Sequence, residues 1–136
     1  MDATFFTTDL ERALGVFTYD DLPVDPAGDP VRVPSPGFVF ALIALLGGDR
    51  ARQARPLRDA TCRSFPIWDL GPHVSERLAR ADDPEIDTLA AAWLAMGEAV
   101  DSDAYELALL LGEIRAALRC RAAGERLFVL LEERAF

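Results

Sequence analysis

The residue types best suited to chemistry gather in one short stretch, Phe65-Pro66-Ile67-Trp68-Asp69-Leu70-Gly71-Pro72-His73. His73 is the only histidine of the chain and the one side chain whose ordinary pKa lies near neutrality. Asp69 lies four residues earlier and Arg63 ten. Together they suggest a small-molecule site in which His73 moves a proton, Asp69 orients it and Arg63 holds an anion. That reading requires a concave pocket lined by Trp68 and His73. The blander reading is that Phe65, Ile67 and Trp68 simply anchor a loop on the core, and it is the weightier of the two.

The remaining candidates are weaker. Cys62 and Cys120 are far apart in sequence, and no close Cys or His pair announces a zinc site, so no metal and no cofactor is expected. Both cysteines read as buried thiols, although Arg119 and Arg121 beside Cys120 would favour a thiolate. Glu106 and Glu113 lie two helical turns apart, roughly 10 Å, too far to share a proton. Arg50, Arg52, Arg55, Arg58 and Arg63 form the one basic segment, but helical spacing scatters them around half a circumference. Gly47-Gly48 lacks the Lys-Ser or Lys-Thr of a phosphate loop. Catalysis therefore has no recognisable residue set here, and the chain reads more as a binding protein than as an enzyme.

The elements that must position these residues follow from periodicity and punctuation. Residues 102–122 carry the best-marked helix. Leu107, Leu111, Ile114 and Leu118 recur at three- and four-residue spacing, Ser102 serves as N-cap and Gly124 as the residue past its end. A second apolar stripe, Tyr105, Leu109, Ala116 and Cys120, predicts cover on two sides and a central position. Asp82 or Asp83 with Pro84 opens a helix through Ile86, Leu89, Ala90, Trp93, Leu94 and Met96, antiparallel to the first. Ser35-Pro36 opens an apolar helix ending at Gly47-Gly48, and Pro72 opens another running to about Arg80. Thr8-Asp9-Leu10-Glu11 has the form of a capping box and predicts a short helix ending at Gly15.

Strands are fewer. Ala3 to Thr7 reads as extended, as do Val16 to Tyr19, and Val31 to Val33 as a short edge strand. Residues 49–63 predict two short helical pieces split by Pro56, and residues 64–72 a loop. Residues 126–132 form a run too short for periodicity to assign; a strand pairing with the N-terminal strand is the preferred reading. The fold class expected is mainly α: a compact bundle of about five helices around a central helix 102–122, with a small β element. An α+β fold is the alternative.

At 136 residues, 51% apolar and 27% charged, the chain fits one globular domain over residues 1–136, interrupted by the Pro- and Asp-rich loop 20–36. The N-terminus has no basic leader and no apolar run reaches bilayer length, so a cytoplasmic protein is expected. The net charge of −9 disfavours nucleic acid and anionic membranes and favours a basic partner. All 14 basic residues are arginine, which fits a GC-rich coding bias. The leading functional expectation is an adaptor, regulator or inhibitor-like protein that binds another protein. Its expected contacts are Asp20, Asp21, Asp25, Trp68, Asp82, Asp83 and Asp87. The alternatives are the site at residues 63–73 and a homo-oligomeric structural protein.

Overall fold

Strand β5 (Arg126–Glu132) lies at the middle of a five-stranded antiparallel sheet. The computed structural model describes residues 2–16, 21–22, 31–33, 42, 44–46, 55–58, 67–96 and 103–132. The other strands are β1 (Asp2–Thr8), β2 (Val31–Val33), β3 (Arg55–Arg58) and β4 (Ile67–Asp69), and the order across the sheet is β2-β1-β5-β4-β3. The helices are α1 (Leu10–Leu14), α2 (Gly71–Arg80), α3 (Asp83–Ala95) and α4 (Ala104–Arg119), with further helical residues at 42 and 44–46. Helix exceeds strand among the described residues, and the strands make one continuous sheet, so the α+β alternative describes the architecture.

The run Leu127 to Leu131 is continuously apolar because β5 is buried on both faces. Leu127, Val129 and Leu131 join Ala3 and Phe5 beneath α2, α3 and α4. Phe128 and Leu130 join Phe6 and Ile67 on the opposite face, covered by Ala13, Val16 and Leu22. β1 pairs with β5 along its whole length, from Asp2 opposite Glu132 to Thr8 opposite Arg126, which is the pairing expected from the sequence. Phe6 and Phe128 are cross-strand partners whose rings stack at 5.7 Å.

Several expectations need correction. Helix α4 is not the centre. Leu107, Leu111, Ile114 and Leu118 are buried as predicted, but Tyr105 is 72% and Leu109 53% exposed. Its second stripe faces outward because the sheet occupies the middle layer, and one buried face suffices to hold the helix. Residues 55–58 are an edge strand instead of a helical piece. Pro56 is tolerated there because an edge strand need not donate on both sides. Residues 67–69, expected in a loop, form β4 between β5 and β3.

The caps also differ in detail. Asp9, not Thr8, caps α1, with its carboxylate accepting from the Arg12 amide at 2.8 Å. Thr8 is the last residue of β1 and fully buried. Asp103, not Ser102, caps α4 and accepts from the Glu106 amide at 2.8 Å. Gly124 does adopt a positive φ of 85°, but in the turn to β5, since α4 ends at Arg119. The remaining helices start where proline and aspartate place them: Asp82 caps α3 through the Glu85 amide. Leu42 and Leu46 of the apolar helix are fully buried. The expected helix start at Ser35-Pro36, the extended segment beyond Val16 and most of the loop 20–36 lie outside the described residues.

Candidate functional site

Of the 63–73 constellation, Asp69, Trp68 and His73 lie among the described residues. Asp69 stands at the end of β4, and its Oδ1 accepts from the Gly71 amide at 2.9 Å and from Arg126 Nε at 3.0 Å. Its Oδ2 accepts from Arg126 Nη2 at 2.5 Å. The carboxylate thus fixes the entry to α2 and orients Arg126. Trp68 is half-buried and packs against the main core. His73 lies in the first turn of α2, half-buried. Arg63 and Cys62 lie outside the described residues. Cys120 is exposed at the end of α4, not buried as expected, because it belongs to the outward stripe.

An open cleft of about 460 Å³ lies between α2 and the turn that follows α4. Ser75, Glu76, Arg119, Arg121, Glu125 and Arg126 line it, and neither His73 nor Trp68 does. Its arginines are engaged within the chain. Arg121 pairs with Glu76 and donates to the Leu118 carbonyl. Arg119 donates to the carbonyls of Ala79 and Ala81, and Arg126 holds Asp69. An anion entering there would have to displace bonds that already exist, so the cleft is not a ready anion site.

The expected acidic contacts divide into three groups. Asp20 and Asp25 lie outside the described residues, and Asp21 is exposed. Asp82 is engaged as the cap of α3, and Asp83 pairs with Arg115 at 2.7 Å. Capping and pairing therefore account for two of the three aspartates at this helix start. Asp87 is exposed and carries no ion pair among the described residues.

The feature left unexplained by folding is the outer face of the α3–α4 hairpin. α3 buries Ile86, Leu89, Ala90 and Trp93. Its outward stripe, Pro84, Thr88, Ala91 and Ala95, contains no charge. α4 runs antiparallel beside it, as the pair between Asp83 at the start of α3 and Arg115 near the end of α4 requires. Its outward stripe is Tyr105, Leu109, Gly112, Ala116 and Cys120, at spacings of four, three, four and four. Leu109 is 53% exposed, and Met96, expected on the buried stripe of α3, is 47% exposed. Two adjacent helices with uncharged outward stripes make an apolar surface of the kind that marks an interaction site.

The charges around this face are unequal. Glu106 and Glu113 flank the α4 stripe, are exposed and carry no ion pair among the described residues. Arg115 and Arg119 occupy the other flank. Arg115 donates to the Ala81 carbonyl at 3.1 Å and pairs with Asp83. Arg119 donates to Ala79 and Ala81. The arginines reach the α2–α3 junction on the side of α3, and the two glutamates lie on the flank turned away from it.

Leu109 and Tyr105 are identifiable in sequence as a second apolar stripe. The parts of the face that sequence reasoning missed are Ala91, Ala95 and Gly112, which look like ordinary helix residues until their side is known. Gly112 carries the one detectable signal: a glycine inside a helix costs about 1 kcal/mol relative to alanine. A Cβ placed there would meet nothing within 4 Å, so no contact among the described residues requires its absence. No helix among the described residues is long and apolar enough to cross a membrane, and no group of three metal-binding side chains occurs among them. No family model, curated protein or solved structure matches the chain.

Proposed function

We propose that this protein acts by binding another protein through the outer face of the α3–α4 hairpin, without catalysis of its own. The observation that carries this reading is the outward apolar stripe of α4, with Tyr105 72% and Leu109 53% exposed beside Glu106 and Glu113, which carry no ion pair among the described residues. Leaving large apolar side chains in water brings no folding benefit, whereas covering them with a partner contributes roughly 25 cal/mol per Å² removed from water. The acidic contacts on this reading are Asp87, Glu106 and Glu113; Asp82 and Asp83 serve mainly to start α3. The alternative of a small-molecule site at residues 63–73 has less support, because Asp69 is held by Arg126 and Gly71. A cytoplasmic adaptor or inhibitor-like role remains the functional class that this face fits.

The test is site-specific photo-crosslinking with a reactive residue placed at Leu109 in one sample and at Thr88 or Asp9 in others. A single partner captured from the protein's own cells at Leu109 and Thr88, but not at Asp9, supports the reading. Equal labelling at all three positions, or none at any, would sink it.

A further inference from the structure

The outer face of the hairpin also constrains what can cover it. We infer that its occupant is a basic amphipathic α-helix of a partner protein, lying along the outward stripe of α4 with its apolar ridge on Leu109 and its cations on Glu106 and Glu113, the flank turned away from α3. This inference rests on the protein-binding reading of the same face and adds the chemistry of the partner.

Shape comes first. A helix face with an exposed apolar stripe is a natural seat for another helix, read as anchors at i, i+3, i+4 and i+7. Ridges on a helix enter grooves best where the receiving residues are small. Here the small outward positions on α4 are Gly112 and Ala116. Gly112 is the sharpest clue: its missing Cβ is idle among the described residues and becomes useful when another backbone approaches closely. α4 has 16 residues, about 24 Å at ~1.5 Å per residue, so it can line a helix of four to five turns.

Charge then selects among occupants. The projecting groups are carboxylates without partners among the described residues, and the flanking arginines are pinned to carbonyls at the α2–α3 junction. A second copy of this chain would bring another −9 to the same acidic rim. In an antiparallel two-fold pairing centred on Gly112, the neighbouring Glu113 would lie close to its own symmetry mate. An anionic lipid surface is repelled by the same rim. A helix with Lys or Arg beside its apolar stripe meets neither obstacle, and its encounter is steered by the overall charge.

The experiment uses the full chain and three labelled synthetic peptides of about 18 residues, a length set by the helix rise. One carries Leu at i, i+3, i+4 and i+7 with Lys and Arg on the flanks. The second replaces the cations by Glu, and the third has the first composition in scrambled order. Fluorescence anisotropy should show binding of the first peptide, at least tenfold weaker binding of the other two, and weakening as salt rises. Leu109→Asp should reduce binding at least tenfold. Glu106→Arg combined with Glu113→Arg should do the same and improve the Glu-bearing peptide. All three residues are exposed, so circular dichroism should show the variants folded.

Equal binding of the scrambled peptide, or binding untouched by Leu109→Asp, overturns the inference in favour of unspecific charge attraction. Self-association seen by light scattering and abolished by Leu109→Asp overturns it in favour of a second copy. If crosslinking at Leu109 captures a partner while no peptide binds, the protein-binding reading stands and the basic-helix inference falls. If the basic peptide binds through Leu109 but crosslinking captures nothing, the reverse holds.

Discussion

Asp69 and Arg126 form a two-pronged ion pair across β4 and β5, with Nε to Oδ1 at 3.0 Å and Nη2 to Oδ2 at 2.5 Å. The two residues sit on the same face of the sheet, because Asp69 registers opposite Phe128 and Arg126 lies two residues from it. The guanidinium also lies 5.8 Å from the centre of the Phe128 ring. The pair clamps the start of β5 to the end of β4 and, through the Gly71 amide, to the start of α2. Its Asp69 side chain is 14% exposed and its Arg126 side chain 30%, so solvent screens it only in part.

Asp69→Ala should therefore destabilise the fold by about 2 kcal/mol, between the values for exposed and fully buried pairs. Urea denaturation followed by circular dichroism measures this directly. A loss below about 0.5 kcal/mol would mean the pair is no better than an exposed one.

Ser75 makes a second junction between the same elements. Its hydroxyl is buried, donates to the Gly71 carbonyl at 3.3 Å and accepts from the Leu127 amide at 3.0 Å. Ser75→Ala removes the acceptor and leaves a buried amide at the start of β5 unpaired, which costs ~1–3 kcal/mol. The better helix propensity of alanine offsets at most ~0.5 kcal/mol of that. Hydrogen exchange should show the Leu127 amide losing protection first.

The same two junctions show what was legible in the sequence. The helix starts were readable because aspartate and proline act locally: Asp9, Asp82 and Asp103 each accept from the amide three residues on. Where two capping residues adjoin, as at Thr8-Asp9 and Ser102-Asp103, local pattern could not rank them. In the first case burial of Thr8 in β1 decided. β5 was harder, since a strand buried on both faces loses its alternation. β3 and β4 were invisible because their short runs become strands only by pairing with β5 and with each other. The stripe of Tyr105 and Leu109 was plain in the sequence, but its exposure was not. Exposure depends on which layer the sheet takes, and no periodicity contains that. Asp69 has a related limit: its nearness to His73 in sequence says nothing of Arg126, 57 residues away.

The face of β1 that points away from α4 carries two polar defects. Thr4 and Thr8 are fully buried, and neither hydroxyl has a hydrogen-bond partner among the described residues. Burying an unpaired hydroxyl costs roughly 1–3 kcal/mol. Valine has nearly the same shape and favours strands. Thr4→Val and Thr8→Val should each raise stability by about 1 kcal/mol, or about 3 °C in Tm for a chain of this size. A fall in Tm for either variant would show that its hydroxyl is satisfied in solution.

Two glycines should respond to alanine with opposite signs. Gly124 holds a φ of +85° in the turn before β5, where a Cβ has open space but the backbone is strained. Gly124→Ala should cost ~1–2 kcal/mol. Gly112 lies within α4 and is equally free of neighbours, but its backbone is helical. Gly112→Ala should stabilise the chain by ~0.5–1 kcal/mol through helix propensity alone. The same methyl group would stand on the outward stripe of α4. Thermal melts should therefore show Gly112→Ala as the more stable protein, while anisotropy shows it binding the basic amphipathic peptide more weakly than the parent. A variant gaining both stability and affinity would mean that no backbone approaches α4 at this point, and that the glycine is merely a flaw in the helix.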